Sequence, residues 1–283
     1  MSTGSERRPR LDDTIIVDEI GIESGGYGIY RLRSLYQAIF ERRGQSLRAV
    51  AVEGTVAPYV AGEEAPPEMF LAAVTPDDRD FVERMELALP LRNHRNIGLD
   101  RLELVVGPEG SGPEALLDRV RLIGSELAEI GLDPGLVVCA FGEQAASDNT
   151  LLAYLADEMR KYGLRTAIGD FGAGHWGDAQ IDLLGPEIVR IDSGWFRQVC
   201  RDATTVRLFD AVVSRLRERQ SKVLVTGIET EQQLGVALKA GAELFQGSHL
   251  APPALVGSTM IDEAPLSLAE KLGEAQKIIP LFG

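Results

Sequence analysis

Six side chains stand at or just beyond short β-branched runs and carry groups that could do chemistry. They are Glu53 after Val50-Ala51-Val52, Asp170 after Ala167-Ile168-Gly169, Arg190 within Val189-Arg190-Ile191, Asp192 directly after that run, Glu229 after Val225-Thr226-Gly227-Ile228, and Gln246 after Leu244-Phe245. Carboxylate and amide oxygens suit hard divalent cations, while a guanidinium suits a phosphate or a carboxylate. Residues of this kind at the carboxyl ends of barrel strands read as a site and not as core.

The elements that must bring them together follow from the hydrophobic pattern. Apolar runs at Leu47–Val52, Leu102–Val106, Leu136–Cys139, Arg165–Ile168, Ile188–Ile191, Lys222–Val225 and Ala242–Phe245 alternate with helical patterns, which predicts βα units and a parallel sheet. Leu151, Leu152, Leu155 and Met159 recur at helical spacing, as do Leu208, Val212, Val213 and Leu216. An eighth strand is expected from Tyr30–Phe40 or from Thr14–Ile20, two segments separated by the turn signal Gly25-Gly26-Tyr27-Gly28. The fold class expected is α/β, a single TIM-like (β/α)8 barrel. Residues 1–12 are polar and expected to be disordered, and residues 13–283 form the barrel domain. Leu266–Ile279 reads as a final amphipathic helix, and the apolar tail Ile279-Pro280-Leu281-Phe282 is expected to dock on the barrel.

Composition narrows the function classes. Among 283 residues, 29 are basic and 43 acidic, a net charge of −14, which argues against nucleic acid or another polyanion as a partner. No apolar run approaches the roughly 20 residues needed to span a bilayer, and no secretory signal is visible, so a cytoplasmic location without membrane association is expected. Cys139 and Cys200 lack a CxxC spacing and read as plain thiols. His94, His175 and His249 are too scattered for a zinc site and read as solvated.

The segments Gly169-Asp170-Phe171-Gly172-Ala173-Gly174, Arg190-Ile191-Asp192, Thr226-Gly227-Ile228-Glu229-Thr230 and Gln246-Gly247 resemble, in order and surroundings, the EAL family of bacterial cyclic di-GMP phosphodiesterases. The matching family segments read DDFGTG, KID, EGVET and QG, and the resemblance spans Tyr36 to Pro253. It implies a barrel of EAL type, in which two Mg²⁺ or Mn²⁺ ions activate a water and stabilise charge on the phosphate. Glu53 matches the Glu of the name motif, with Gly54 and Thr55 in place of Ala and Leu. Gly107 stands where the family has an Asn ligand, and Ala140 stands at a Glu in the register that makes Glu143 the second Glu of its segment. A shift of one residue would put Cys139 there instead. Gly169 replaces an Asp, Thr226 a Glu, and Arg190 a Lys, while Asp170 and Gln246 are retained. Gln37, in Leu35-Tyr36-Gln37-Ala38-Ile39, matches a Gln that contacts the nucleotide, although a backbone-bonded polar residue is an equal reading. Pro253 matches a Pro after the QG strand, and the family's phosphate-binding Arg falls on Ala57.

The resemblance therefore implies a catalytically inactive relative with no metal and no cofactor, acting in bacterial signalling by binding a protein partner or a second copy of itself. A cyclic di-GMP receptor that does not hydrolyse its ligand is the first alternative, and a residual phosphodiesterase is the second. Arg190 offers a positive charge for a phosphate or for Asp170 in place of the lost metal. The loop Gly172-Ala173-Gly174-His175-Trp176-Gly177 could present His175 and Trp176 as an interface, or Trp176 could pack back over the vacant site; the expectation adopted is the interface.

Overall fold

The computed structural model describes residues 11–98, 102–108, 113–174, 176–258 and 264–273. Eight strands close into a barrel: β1 (Tyr30–Arg43), β2 (Ser46–Val60), β3 (Glu103–Val106), β4 (Val137–Phe141), β5 (Arg165–Phe171), β6 (Ile188–Ile191), β7 (Lys222–Val225) and β8 (Leu244–Phe245). Closure comes from β1, which pairs with both β2 and β8. From β2 round to β8 the neighbours are parallel, whereas β1 is antiparallel to both of its partners. This modifies the uniform βα alternation expected. β1 and β2 are joined through Gly44-Gln45, with Arg43 opposite Ser46, and so short a connection can link only antiparallel strands.

The choice between two candidate first strands is thereby resolved. Tyr30–Phe40 lies in the barrel strand β1, and Ile15–Val17 pairs with Glu23–Tyr27, which in turn pairs with the start of β1. Together with the far end of β2, these strands make an antiparallel extension beyond the barrel rim.

Period-two alternation divides the barrel core into two layers. Ile39, Ala51, Val105, Val138, Ala167, Ile188, Leu224 and Leu244 pack together as an inner cluster. Their neighbours Val189, Val223 and Phe245 belong to the larger cluster shared with the helices. Those helices are α1 (Arg79–Asn93), α2 (Pro113–Ile130), α3 (Asn149–Tyr162), α4 (Asp178–Leu184), α5 (Ser193–Val199), α6 (Ala203–Glu218) and α7 (Glu231–Ala240). Asp148, Asp202 and Thr230 cap the amino ends of α3, α6 and α7 through their side chains, satisfying N–H groups that have no partner within the helix. Gly163 and Gly241 end α3 and α7 in left-handed conformation. No helix among the described residues is long and apolar enough to cross a membrane.

Both ends of the described region depart from expectation. The boundary at residue 12 falls inside a short helix, Leu11–Thr14, where Asp12 pairs with Arg92 at 2.9 Å. Residues 1–10 lie outside the described residues. At the other end Leu266–Ser267 adds as a strand beside Ser46-Leu47, followed by a helix of four residues, Leu268–Lys271. Leu268 is buried, and its N–H donates to the Gln45 carbonyl, so strand pairing takes the first part of the expected helix Leu266–Ile279. The remainder of that helix from residue 274, with the tail Ile279–Phe282, lies outside the described residues.

The extension is tied to the barrel through Asn93, which is fully buried at the end of α1. Its Oδ1 accepts from the Glu23 N–H at 2.8 Å, and its Nδ2 donates to the Glu23 carbonyl at 2.8 Å and to Ser34 Oγ at 2.9 Å. Removing the amide would strand buried backbone groups that water does not reach. Asn93→Ala is expected to lower stability by about 2–3 kcal/mol in denaturant unfolding.

Candidate functional site

The residue two positions beyond an inner-core residue returns to the same side of its strand. Moving toward the carboxyl ends of the parallel strands, that step leads from Ala51 to Glu53, from Val105 to Gly107, from Val138 to Ala140 and from Ala167 to Gly169. It also leads from Ile188 to Arg190, from Leu224 to Thr226 and from Leu244 to Gln246. On the reversed strand β1 the equivalent step runs from Ile39 to Gln37, and Gln37 is the register partner of Glu53. These eight positions thus share one end of the barrel because one alternation places them.

Glu53 is the centre of the polar contacts there. Its Oε1 accepts from Arg190 Nη1, and its Oε2 accepts from Gln246 Nε2 at 2.8 Å. Arg190 Nη2 donates to Asp170 Oδ1 at 3.5 Å, so one guanidinium bridges two carboxylates. Burial alone would lower the Arg190 pKa, but Glu53 and Asp170 outweigh it and hold the group above the usual arginine range. Arg190 Nε is buried and has no hydrogen-bond partner.

Asp170 reaches this position from a local irregularity. Register shifts between Ile168 and Phe171 of β5, and Asp170 takes a φ of 55°, in the left-handed region that non-glycine residues seldom occupy. The Gly169 carbonyl, within the irregular stretch, accepts a 2.9 Å hydrogen bond from Trp176 Nε1. Trp176 is only 8% exposed and belongs to the main core cluster, near Phe171, Ile181 and Leu216. The expectation of a solvent-presented Trp176 is therefore corrected. The glycines let the loop turn back, and burying the indole with its N–H satisfied outweighs displaying it. His175 lies outside the described residues.

The mouth opens into a cavity of about 460 Å³. Glu53, Gly107, Ala140, Gly169, Asp170 and Arg190 line one part, and Glu83, Glu86 and Leu87 of α1 line another. A reading confined to strand ends does not reach these α1 residues, although their i, i+3, i+4 spacing marks one helix face. Gly54 explains how α1 comes so close: a Cβ there would lie 2.7 Å from Pro90 Cβ and 3.0 Å from Leu104 Cδ1. Tyr36 seals the same contact by donating to the Pro90 carbonyl at 2.6 Å. Glu83 accepts from the almost fully buried Arg119 at 3.1 Å. Of the carboxylates lining the cavity, Glu53 and Asp170 share the Arg190 guanidinium and Glu83 is held by Arg119.

Other candidates have local structural partners. Gln37 Nε2 donates to the Ala251 carbonyl at 3.1 Å, and the buried Thr226 hydroxyl donates to the Ile191 carbonyl at 2.8 Å. Asp192 caps α5 by accepting from the Trp195 N–H at 2.6 Å. Glu229 is exposed beside α7 and pairs with Arg197 at 3.3 Å, and Pro253 is exposed. In the Gln246-Gly247 pair the glycine is demanded by space, since a Cβ at Gly247 would lie 2.0 Å from the Ile228 carbonyl oxygen. Neither His94 nor His249 is a solvated histidine: His94 is buried with Nε2 against the Leu102 carbonyl at 2.9 Å, and His249 is half-buried with Nε2 2.8 Å from the Lys271 carbonyl. Burial pulls the His94 pKa down. Cys139 is buried, which pushes its thiol pKa up, and Cys200 is partly buried.

The donor set can be set against the two divalent ions that the resemblance implies. Gly107, Ala140 and Gly169 offer no side-chain oxygen, and the Thr226 hydroxyl is turned to Ile191. Both oxygens of Glu53 are engaged, one of them by a cation. Among the described residues no group of three or more His, Cys, Asp and Glu side chains could hold a metal ion. These residues do not fit a paired-metal centre, which draws on several carboxylate and amide oxygens.

Residues 113–253 match the EAL domain family model. The cyclic di-GMP phosphodiesterase NbdA of Pseudomonas aeruginosa is 26% identical over 168 residues, 58% of this chain and 21% of that protein. The probable cyclic di-GMP phosphodiesterase PdeA of Escherichia coli is 25% identical over 111 residues, 39% of this chain and 15% of that protein. The matched segments thus span about a fifth or less of these relatives. Among solved structures, the calcium and cyclic di-GMP complex of Klebsiella pneumoniae BlrP1 superposes with a TM-score of 0.68 at 24% identity, covering 81% of this chain and 57% of that one. The FimX EAL domain of Pseudomonas aeruginosa bound to cyclic di-GMP gives 0.67 at 22% identity, covering 79% and 90%. At this level of identity the structural likeness speaks for the fold.

Two substitutions test the packing that shapes the mouth. Gly54→Ala introduces a methyl against the rigid Pro90 ring, and is expected to lower stability by about 1–3 kcal/mol in chemical denaturation. Trp176→Ala is expected to lower stability by about 3–5 kcal/mol, while sedimentation shows the association state of the folded protein unchanged.

Proposed function

Because residues 113–253 match the EAL domain family model, we propose that the chain is a catalytically inactive relative that acts in bacterial signalling by binding another protein. The observation that carries the loss of catalysis is the engagement of Glu53 by Arg190 and Gln246, with Gly107, Ala140 and Gly169 around it. Hydrolysis of a phosphodiester at neutral pH needs an activated water and positive charge to stabilise the transition state. The mouth offers one guanidinium, already shared between two carboxylates.

Support for protein binding comes from where large apolar side chains stand in solvent. Ile16, Val17, Ile20 and Ile29 project from the antiparallel extension, and Met69 and Leu71 from the short helix Pro67–Ala73 beside it. A partner covering such side chains would remove their apolar surface from water. With a net charge of −14, the chain suits a partner that rims its apolar contact with basic side chains. The extension takes over the interface role expected of Trp176.

A second reading, a cyclic di-GMP receptor without hydrolysis, is favoured by the 460 Å³ cavity with Arg190 on its wall. Glu53 and Asp170 oppose it, because they already share that guanidinium. One pair of measurements separates the readings. Incubation with cyclic di-GMP and Mg²⁺ or Mn²⁺ is expected to give no product, and calorimetric titration to give no binding in the micromolar range. Metal-dependent turnover abolished by Glu53→Ala would restore the phosphodiesterase reading. Binding without turnover, weakened by Arg190→Ala, would establish the receptor.

A further inference from the structure

The outermost strand of the antiparallel extension, Ile15–Val17, begins the sheet, and among the described residues no strand pairs with its outer side. Its inner side pairs regularly with Glu23–Tyr27, with Ile16 opposite Ser24. At the end of that pairing Asp18 donates its N–H to the Ile22 carbonyl at 3.0 Å, so alternation turns the backbone groups of Val17 and Ile15 outward. Ile15 packs against the cluster of Leu32, Phe70 and Met85, which holds the strand in place. Ile16 and Val17 are 49% and 57% exposed. Sheet edges are commonly blunted by lysine, proline or a bulge. This edge carries none of them.

We propose that this edge receives an extended, basic segment of a protein partner as an added β-strand, which rests on the reading that the chain acts by binding another protein. The outward backbone groups of Ile15 and Val17 supply the main-chain hydrogen bonds, and the side chains of Ile16 and Val17 offer apolar neighbours to the added strand. Residues 11–22 hold Asp12, Asp13, Asp18 and Glu19 and no lysine or arginine, so acids stand at both ends of the strand. Asp12 is paired with Arg92, whereas Glu19 is exposed in the turn beyond Val17. The same charges disfavour a second copy of this chain as the occupant. Antiparallel pairing of two such edges brings Asp12 and Asp13 of one copy toward Asp18 and Glu19 of the other, and parallel pairing sets like residues side by side. A segment with lysine or arginine interspersed among apolar residues meets both acidic ends with opposite charge.

The test is fluorescence anisotropy of a labelled, roughly seven-residue peptide of alternating lysine and valine, titrated with the full chain at about 150 mM salt. Saturable binding is expected. The same peptide with its backbone amides N-methylated keeps the charge, loses its main-chain donors, and should bind at least about tenfold more weakly. Val17→Pro removes an outward N–H at an edge, where proline is tolerated, and should also weaken binding at least about tenfold. Val17→Lys places a cation on the strand and should have a similar effect; it carries the test if Val17→Pro does not fold. Glu218→Lys, an exposed position on α6, changes the net charge more than Val17→Lys does and should leave affinity within about twofold. Absence of binding to the wild type overturns the proposal, as does equal binding of the N-methylated peptide or undiminished binding to the folded Val17 variants. A concentration-dependent wild-type dimer in sedimentation that Val17→Lys disperses also overturns it, by making a second copy the occupant. Turnover of cyclic di-GMP by the wild type would instead overturn the reading of the chain as an inactive binding protein without altering the peptide result, so the two failures are distinguishable.

Discussion

The Glu53 carboxylate is the point about which the barrel mouth is organised. It stands on the long strand β2 beside the reversed strand β1 and accepts from β8 through Gln246 and from β6 through Arg190. Arg190 then carries the connection to Asp170 at the β5 irregularity. Strands far apart in sequence are tied through one anion, whose charge determines what else the mouth can hold. A carboxylate committed to a guanidinium on one oxygen and an amide on the other is a poor ligand for a further cation.

Around that core, close approaches govern shape. Gly54 admits Pro90 of α1 and Gly247 admits the backbone at Ile228; in each case the space occupied by one methyl separates the observed packing from a collision. The Gly54 contact has an electrostatic result, because α1 carries Glu83 and Glu86 into the cavity wall. The missing methyl at Gly54 thus accompanies an acidic helix face at the mouth. On the outside of the barrel, Trp176 spends its indole N–H on the Gly169 carbonyl and its ring on the core, linking the packing of the following loop to the strand that bears Asp170.

The likeness to cyclic di-GMP phosphodiesterases and the chemistry of a site rest on different parts of the molecule. The inner cluster of Ile39, Ala51, Val105 and their counterparts needs only volume and alternation, which many sequences satisfy. Two-metal chemistry needs particular oxygen atoms at particular strand ends and fails when they are replaced by hydrogen or methyl. A fold shared at 24% identity therefore leaves the chemistry to the site.

Local pattern was enough to show most barrel strands, the helices between them and the residues at the carboxyl ends, because period-two alternation is written residue by residue. It also showed that Gly107, Ala140 and Gly169 supply no side-chain oxygen, since that is a matter of residue type alone. Tertiary structure decided the reversal of β1, because antiparallel pairing depends on which strands become neighbours. It decided the position of Trp176, because Gly-flanked loops turn equally well toward solvent or core until the core offers an acceptor. The entry of Glu83 and Glu86 into the cavity depended on a missing Cβ at Gly54 meeting a proline 36 residues later. Arg190 could be named from its strand, but its choice of Glu53 as first partner, 137 residues away, required the barrel to close: only closure puts those side chains within hydrogen-bond reach.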